Sequence, residues 1–215
     1  MPSPPYRPEY ITPMAAVAGS VGDHVLACMI RGRYLARTYV NNGGYIALHL
    51  REGVFRVGIC DNPVTGEAGG VVLVRPKDEI GGIATSGWRD RSHSLGIADA
   101  VTILAQSAAE ADAAATMIAN AVDLPSSPLV SREPANMLSP DSDLGERLVT
   151  MGVGDLTRSD IEQALANGKR MARAYRERGL FRAAYLDLGG ERRIVTHETR
   201  RLHTRTHFRE EPICP

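Results

Sequence analysis

The chain has 215 residues, 43% of them hydrophobic, enough for one sizeable domain or two small ones. Lys+Arg and Asp+Glu balance at 25 each and aromatics are only 5%, so neither a charge field nor a base-stacking surface points to nucleic acid or an acidic membrane. Cys28, Cys60 and Cys214 are too few and too scattered for a disulfide framework or a zinc motif, and no uninterrupted apolar run reaches the ~18 residues of a membrane span.

The first residues, with Pro2, Pro4, Pro5 and Pro8, read as an extended arm over 1–11, and they lack the order of a secretory signal. The default location is therefore the cytoplasm. Thr12-Pro13 reads as a helix start, and the small apolar stretch Met14 to Ile30 as its helix, stopped at Gly32. Gly19 and Gly22 inside that helix imply a close approach by another backbone or by a ligand. From Tyr34 the period changes to two. Tyr34–Val40, Tyr45–Leu50, Val54–Cys60 and Val71–Arg75 predict an antiparallel meander, turned at Asn41-Asn-Gly-Gly44, Arg51-Glu-Gly53 and Asn62–Gly70.

Ser94–Ala105 reads as extended, and Ser107-Ala-Ala-Glu110 as a capping box opening an Ala-rich helix to about Val122. Leu124–Asp143, with several prolines and serines, reads as a long crossing loop. Thr157-Arg-Ser-Asp160 opens a further helix, stopped by Gly179. The hairpin Arg182–Leu188 / Arg192–Thr199 closes a single α+β domain over 12–199, followed by a basic tail, 200–215.

Three clusters could carry chemistry. Asp112, Thr116 and Asn120 lie at i, i+4 and i+8 and form one polar stripe on an otherwise apolar helix. Such a stripe needs partners, or burial costs it free energy. An aspartate with a hydroxyl one turn later can offer two hard oxygens to Mg²⁺; equally, Asp112 can serve the helix dipole while Thr116 bonds back to a carbonyl. Gly81-Gly-Ile-Ala-Thr-Ser-Gly87 reads as a glycine turn, or as a loop whose N–H groups and hydroxyls, Thr85 and Ser86, approach a phosphate. It matches neither the Walker loop nor the dinucleotide fingerprint. Asn41-Asn-Gly-Gly44 is a hairpin turn in its own right.

Taken together, Gly19 with Asp23, Val40-Asn-Asn-Gly-Gly44, Gly82-Ile-Ala-Thr-Ser-Gly87 and Ala111-Asp-Ala-Ala-Ala-Thr116 resemble, in order and spacing, the ApbE family of flavin transferases. The similarity is greatest to a short branch of it labelled for thiamine biosynthesis. The resemblance implies an ApbE-like, T-fold-related antiparallel sheet with packed helices. It implies a Mg²⁺-dependent transferase that attaches FMN from FAD to a target protein, or a scaffold that binds a flavin, nucleotide or metabolite without turnover. Asp112 and Thr116 would be the metal and catalytic residues; Gly19, Asp23, Asn42, Gly43, Gly44, Thr85, Ser86 and Gly87 would line the cofactor. Tyr45 stands where the family pattern has an aspartate, and His93 and Asp99 only echo its His-x-x-Asp-Pro element. The branch carries a further α/β portion ahead of the Thr12-Pro13-Met14 segment. The expectation is therefore a homo-oligomer, or a complex with a neighbour-encoded subunit or acceptor protein, and no nucleic acid or membrane partner.

Overall fold

The computed structural model describes residues 6, 9–62, 67–89 and 92–196; the basic tail 200–215, with Cys214, lies outside them. A 3-10 turn, Pro13–Ala16, leads into α1 (Val17–Ile30). Two hairpins follow, β1 (Arg37–Asn42) with β2 (Tyr45–Leu50) and β3 (Phe55–Asn62) with β4 (Glu67–Val74). Next come β5 (Gly82–Ser86), β6 (Ala100–Ala105), α2 (Ala108–Ala121), β7 (Val130–Pro134) and the short α3 (Ala135–Leu138). The described part ends with β8 (Leu148–Val153), α4 (Arg158–Glu177), β9 (Ala183–Leu188) and β10 (Glu191–Val195).

The α+β expectation agrees with this architecture. Six strands form an antiparallel sheet in the order β1-β2-β5-β6-β9-β10, and β6 and β9, near its middle, are buried along their whole length. Side chains alternate between the two faces. One face carries Ala84, Val101, Ile103 and Leu186 into a core with Ala111, Ala114 and Ile118 of α2 and Leu165 and Ala172 of α4. The alanines of α2 bring its backbone close to the sheet. The other face carries Leu48, Ile83 and Leu104, covered by Val72 and Val74 of the β3–β4 ribbon.

Both capping boxes form. Ser107 and Glu110 cap α2 reciprocally, as Thr157 and Asp160 cap α4, and the bonds from Thr157 hold the Asp160 carboxyl below its usual range. Thr12, by contrast, makes no cap bond, and the regular helix begins only at Val17.

Three further expectations are corrected. The four early strands are not one meander: β3–β4 is a separate ribbon, and β2 pairs instead with β5. The Pro-rich crossing contains β7, which pairs with an unforeseen β8. Gly82–Ser86 is a strand and not a turn, paired with β2 and β6; its glycine answers to packing, since a Cβ on Gly82 would meet the Ser107 carbonyl and the Ala108 nitrogen. Near the N-terminus, Tyr6 and Ile11 are buried in the helix-side core, where the Tyr6 ring meets Tyr175 edge-on at 5.2 Å. Among the described helices, one, Pro13–Ile30, is long and apolar enough to cross a membrane by length and composition, although Gly19, Ser20, Gly22, Asp23 and His24 interrupt its apolar run.

Candidate functional site

Gly19 and Asp23, one turn apart, share the face of α1 that meets the start of α2. A helix start leaves four N–H groups without intrahelical acceptors. Here every one is satisfied. The Ser107 N–H donates to Glu110 Oε2 at 3.2 Å and the Glu110 N–H to Ser107 Oγ at 3.2 Å. The Ala108 and Ala109 N–H groups donate to the two oxygens of Asp23, at 3.0 and 2.9 Å. The protein's own carboxylate thus fills what would otherwise be an anion site, so the start of α2 is closed to a phosphate.

The contact is reciprocal. The Gly19 N–H donates to Asp112 Oδ2 at 2.9 Å, where Asp112 is only 4% exposed. A Cβ on Gly19 would stand 2.5 Å from the Ala108 carbonyl carbon and 2.7 Å from the Ala109 nitrogen. Glycine is required there by backbone proximity. Asn42 adds a third tie, donating from Nδ2 to the Ala18 carbonyl at 3.1 Å. Gly43 and Gly44, at φ 67° and 101°, form the two-residue turn between β1 and β2, and Asn41 accepts the Gly44 N–H.

The polar stripe of α2 finds partners at both ends. Asn120 Oδ1 accepts the Leu95 N–H at 2.9 Å and the Ser94 hydroxyl at 3.3 Å, so it secures the segment before β6. Thr116 is half-buried between these ties, and among the described residues its hydroxyl has no hydrogen-bond partner. The same holds for the half-buried Ser86. Gly82 abuts Ala108, and Ser86 shares the sheet face of Gly82 and Ala84, the face that α2 covers.

Thr85 does not join them. It leaves β5 on the ribbon face and bonds Thr102 across the strands at 2.7 Å. Near Thr102 on that face lie Tyr185 and Asp187 of β9, both buried, the latter paired with Arg192 at 3.4 Å. Sequence reasoning missed this polar cluster. Its one local signal is an aspartate in the otherwise apolar Ala183-Ala-Tyr-Leu-Asp-Leu188. Gly87 serves packing, since a Cβ there would stand 2.9 Å from the Asp99 carbonyl carbon.

The echo of the His-x-x-Asp element does not assemble. Asp99 is occupied by the Trp88 indole N–H, Arg89 and the Gly189 N–H, and His93 is exposed. Among the described residues no group of three or more His, Cys, Asp or Glu could hold a metal ion unaided. Asp112 and Thr116 on one helix face still fit Mg²⁺ in its usual manner, in which one carboxylate is supplemented by ligand phosphates and water.

The family model described as AbpE bacteria matches residues 2–194. A UPF0280 protein of Methanocaldococcus jannaschii is 37% identical over 114 residues, 52% of this chain and 45% of that protein. A UPF0280 protein of Methanocorpusculum labreanum is 39% identical over 111 residues, 51% of this chain and 46% of its own length. The chain thus spans a little under half the length of these curated relatives.

Proposed function

The chain belongs to this ApbE-related bacterial family, and on that premise we propose that it is a Mg²⁺-dependent, ApbE-like transferase acting on a flavin or another pyrophosphate-containing cofactor. The observation that carries the reading is the half-buried Thr116 hydroxyl, without a partner among the described residues, one turn beyond Asp112 on the helix that covers the Ser86 face of the sheet. Asp112 and Thr116 would hold the ion, which supplies charge neutralisation on a scissile pyrophosphate. Ser86 and the backbone at Gly87 would line the cofactor. Gly19, Asp23 and Asn42 would act one layer back, fixing α1 and the β1–β2 hairpin against α2. Thr85, on the far side of the sheet, would support the strand. FMN transfer from FAD to an acceptor protein, with AMP leaving, is the family reaction this site would perform.

A specific observation favours a second reading, a binding scaffold without turnover. Asp112 already accepts the Gly19 N–H, and Tyr45 stands at the family's second carboxylate position. Incubation with FAD and Mg²⁺ separates the two. AMP release that requires Mg²⁺ supports the transferase; saturable FAD binding with no AMP supports the scaffold; neither binding nor cleavage of FAD refutes a flavin ligand.

A further inference from the structure

The pairing of β2 with β5 stops one step short, at a strained residue. Along β2 the Arg51 N–H donates to the Ala36 carbonyl on the β1 side at 2.8 Å, and the Leu48 N–H to the Gly81 carbonyl on the β5 side at 2.7 Å. The main-chain groups of Ile46, Leu48 and Leu50 therefore share the β5 side. Ile46 and Ala47 pair with Ile83 and Gly82, a register that would set Glu79 opposite Leu50. Glu79 does not take that place. It adopts φ 52°, alone in the left-handed region among the described non-glycine residues, and ends the turn Pro76–Asp78 instead. The Leu50 N–H and C=O are left without a main-chain partner among the described residues. Leu50 borders a cleft of about 420 Å³, within the range of small-molecule sites, lined also by Arg75, Glu79 and Gln106.

We propose that this cleft binds a free α-amino acid, which takes the ladder position opposite Leu50 that Glu79 leaves open. Its ammonium and carboxylate groups exchange hydrogen bonds with the Leu50 C=O and N–H, as the main chain of a strand residue does. The side chains match its charges. Arg75, which forms no ion pair among the described residues, takes the carboxylate. The Glu79 carboxylate, held by Arg182 at 3.0 Å, takes the ammonium group. A simple anion would meet Glu79 and a simple cation Arg75, so walls of both signs select a ligand that carries both charges. A glycine would hold the left-handed turn without strain; glutamate there keeps a carboxylate on the cleft wall. The cleft lies at the Gly81 end of β5 and Ser86 at the other, so the inference is independent of the flavin and Mg²⁺ reading.

Amide chemical-shift mapping of the full chain, titrated with a panel of the common L-amino acids into the millimolar range, tests it. At least one should shift the Leu50, Gly81 and Gln106 amides saturably. Its des-amino and decarboxylated analogues should each bind about tenfold more weakly, or worse, for want of one charge-assisted contact. Glu79→Gly keeps the left-handed turn and removes the carboxylate; it should retain the circular dichroism spectrum and show a similar loss of affinity. Arg75→Gln should do the same. No saturable shift with any member of the panel overturns the proposal. So does a des-amino analogue that binds as tightly as its parent, which would reduce the cleft to an anion patch, or an affinity that Glu79→Gly leaves unchanged.

Discussion

Gly19→Ala and Gly22→Ala make a matched pair, because both add one methyl to the same helix. At Gly19 the new Cβ would stand 2.5 Å from the Ala108 carbonyl carbon and 2.7 Å from the Ala109 nitrogen, both backbone atoms of a capped helix start. Restoring contacts of ~3.5 Å requires α1 and α2 to separate by about 1 Å. That distance stretches the Gly19–Asp112 bond from 2.9 Å and the Asp23 bonds from 3.0 and 2.9 Å beyond hydrogen-bond range. Overpacking costs about 1–3 kcal/mol, a buried carboxylate deprived of a donor adds roughly 1–3, and the helix preference of alanine returns about 1, for a net loss of about 1–5 kcal/mol. At Gly22 the new Cβ would stand 3.7 Å from the Ala47 Cβ and 3.7 Å from the Tyr45 carbonyl oxygen, ordinary contacts. Gly22→Ala should therefore be neutral or gain up to ~1 kcal/mol. Urea unfolding monitored by circular dichroism reads both. Equal effects of the two substitutions would refute the account of how α1 and α2 are joined.

Two further outcomes are expected of the same structure. Burial, reinforced by the Glu9 carboxylate against a smaller opposing effect of Arg178, pushes the Tyr175 hydroxyl up to about 12 from its ordinary 10.0. The unfolded chain then releases this proton first, so stability is intact below pH 10 and falls as pH rises from 10 toward 12. Tyr175→Phe should flatten that alkaline slope in unfolding experiments. At neutral pH it should cost little, because the hydroxyl is buried with no partner among the described residues; an unchanged alkaline slope contradicts the assignment. Tyr45→Asp places a carboxylate where the ApbE pattern that this chain resembles has one. In a transferase it should raise Mg²⁺-dependent FAD cleavage; a loss of FAD affinity with no AMP release would instead favour the scaffold.

Much of the helical layer was legible because its signals are local. Ser107 with Glu110 and Thr157 with Asp160 announce helix starts within four residues, and both caps form. The β1–β2 hairpin was equally legible, since Gly43-Gly44 sits between two alternating runs. The strand that joins a hairpin's edge is a long-range choice, and nothing in Tyr45–Leu50 records that its outer neighbour is Gly82-Ile83. The glycines of 81–87 misled for the same reason. Glycine in a turn and glycine beneath a helix start look alike until the backbone of Ser107 and Ala108 is placed over it. Strand β7 was hidden by Pro134 and by its polar run Ser131-Arg-Glu133, which offers no apolar alternation. At the site, the stripe Asp112–Thr116–Asn120 was readable from spacing. Its division was not, because Gly19 and Leu95 reach it across 93 and 25 residues.

In the proposed transferase, Asp112 serves a bound cation as well as the fold. Asp112→Asn keeps one oxygen for the Gly19 N–H, removes the charge and exchanges the second oxygen for an NH2 donor. Calorimetric titration of Mg²⁺ into the FAD-saturated protein, with urea unfolding of both forms alongside, reads that exchange. The account predicts at least a tenfold loss of Mg²⁺ affinity, about 1.4 kcal/mol, in a protein that remains folded. Unchanged Mg²⁺ affinity in the folded Asp112→Asn protein would contradict it and leave Asp112 as a fold residue alone.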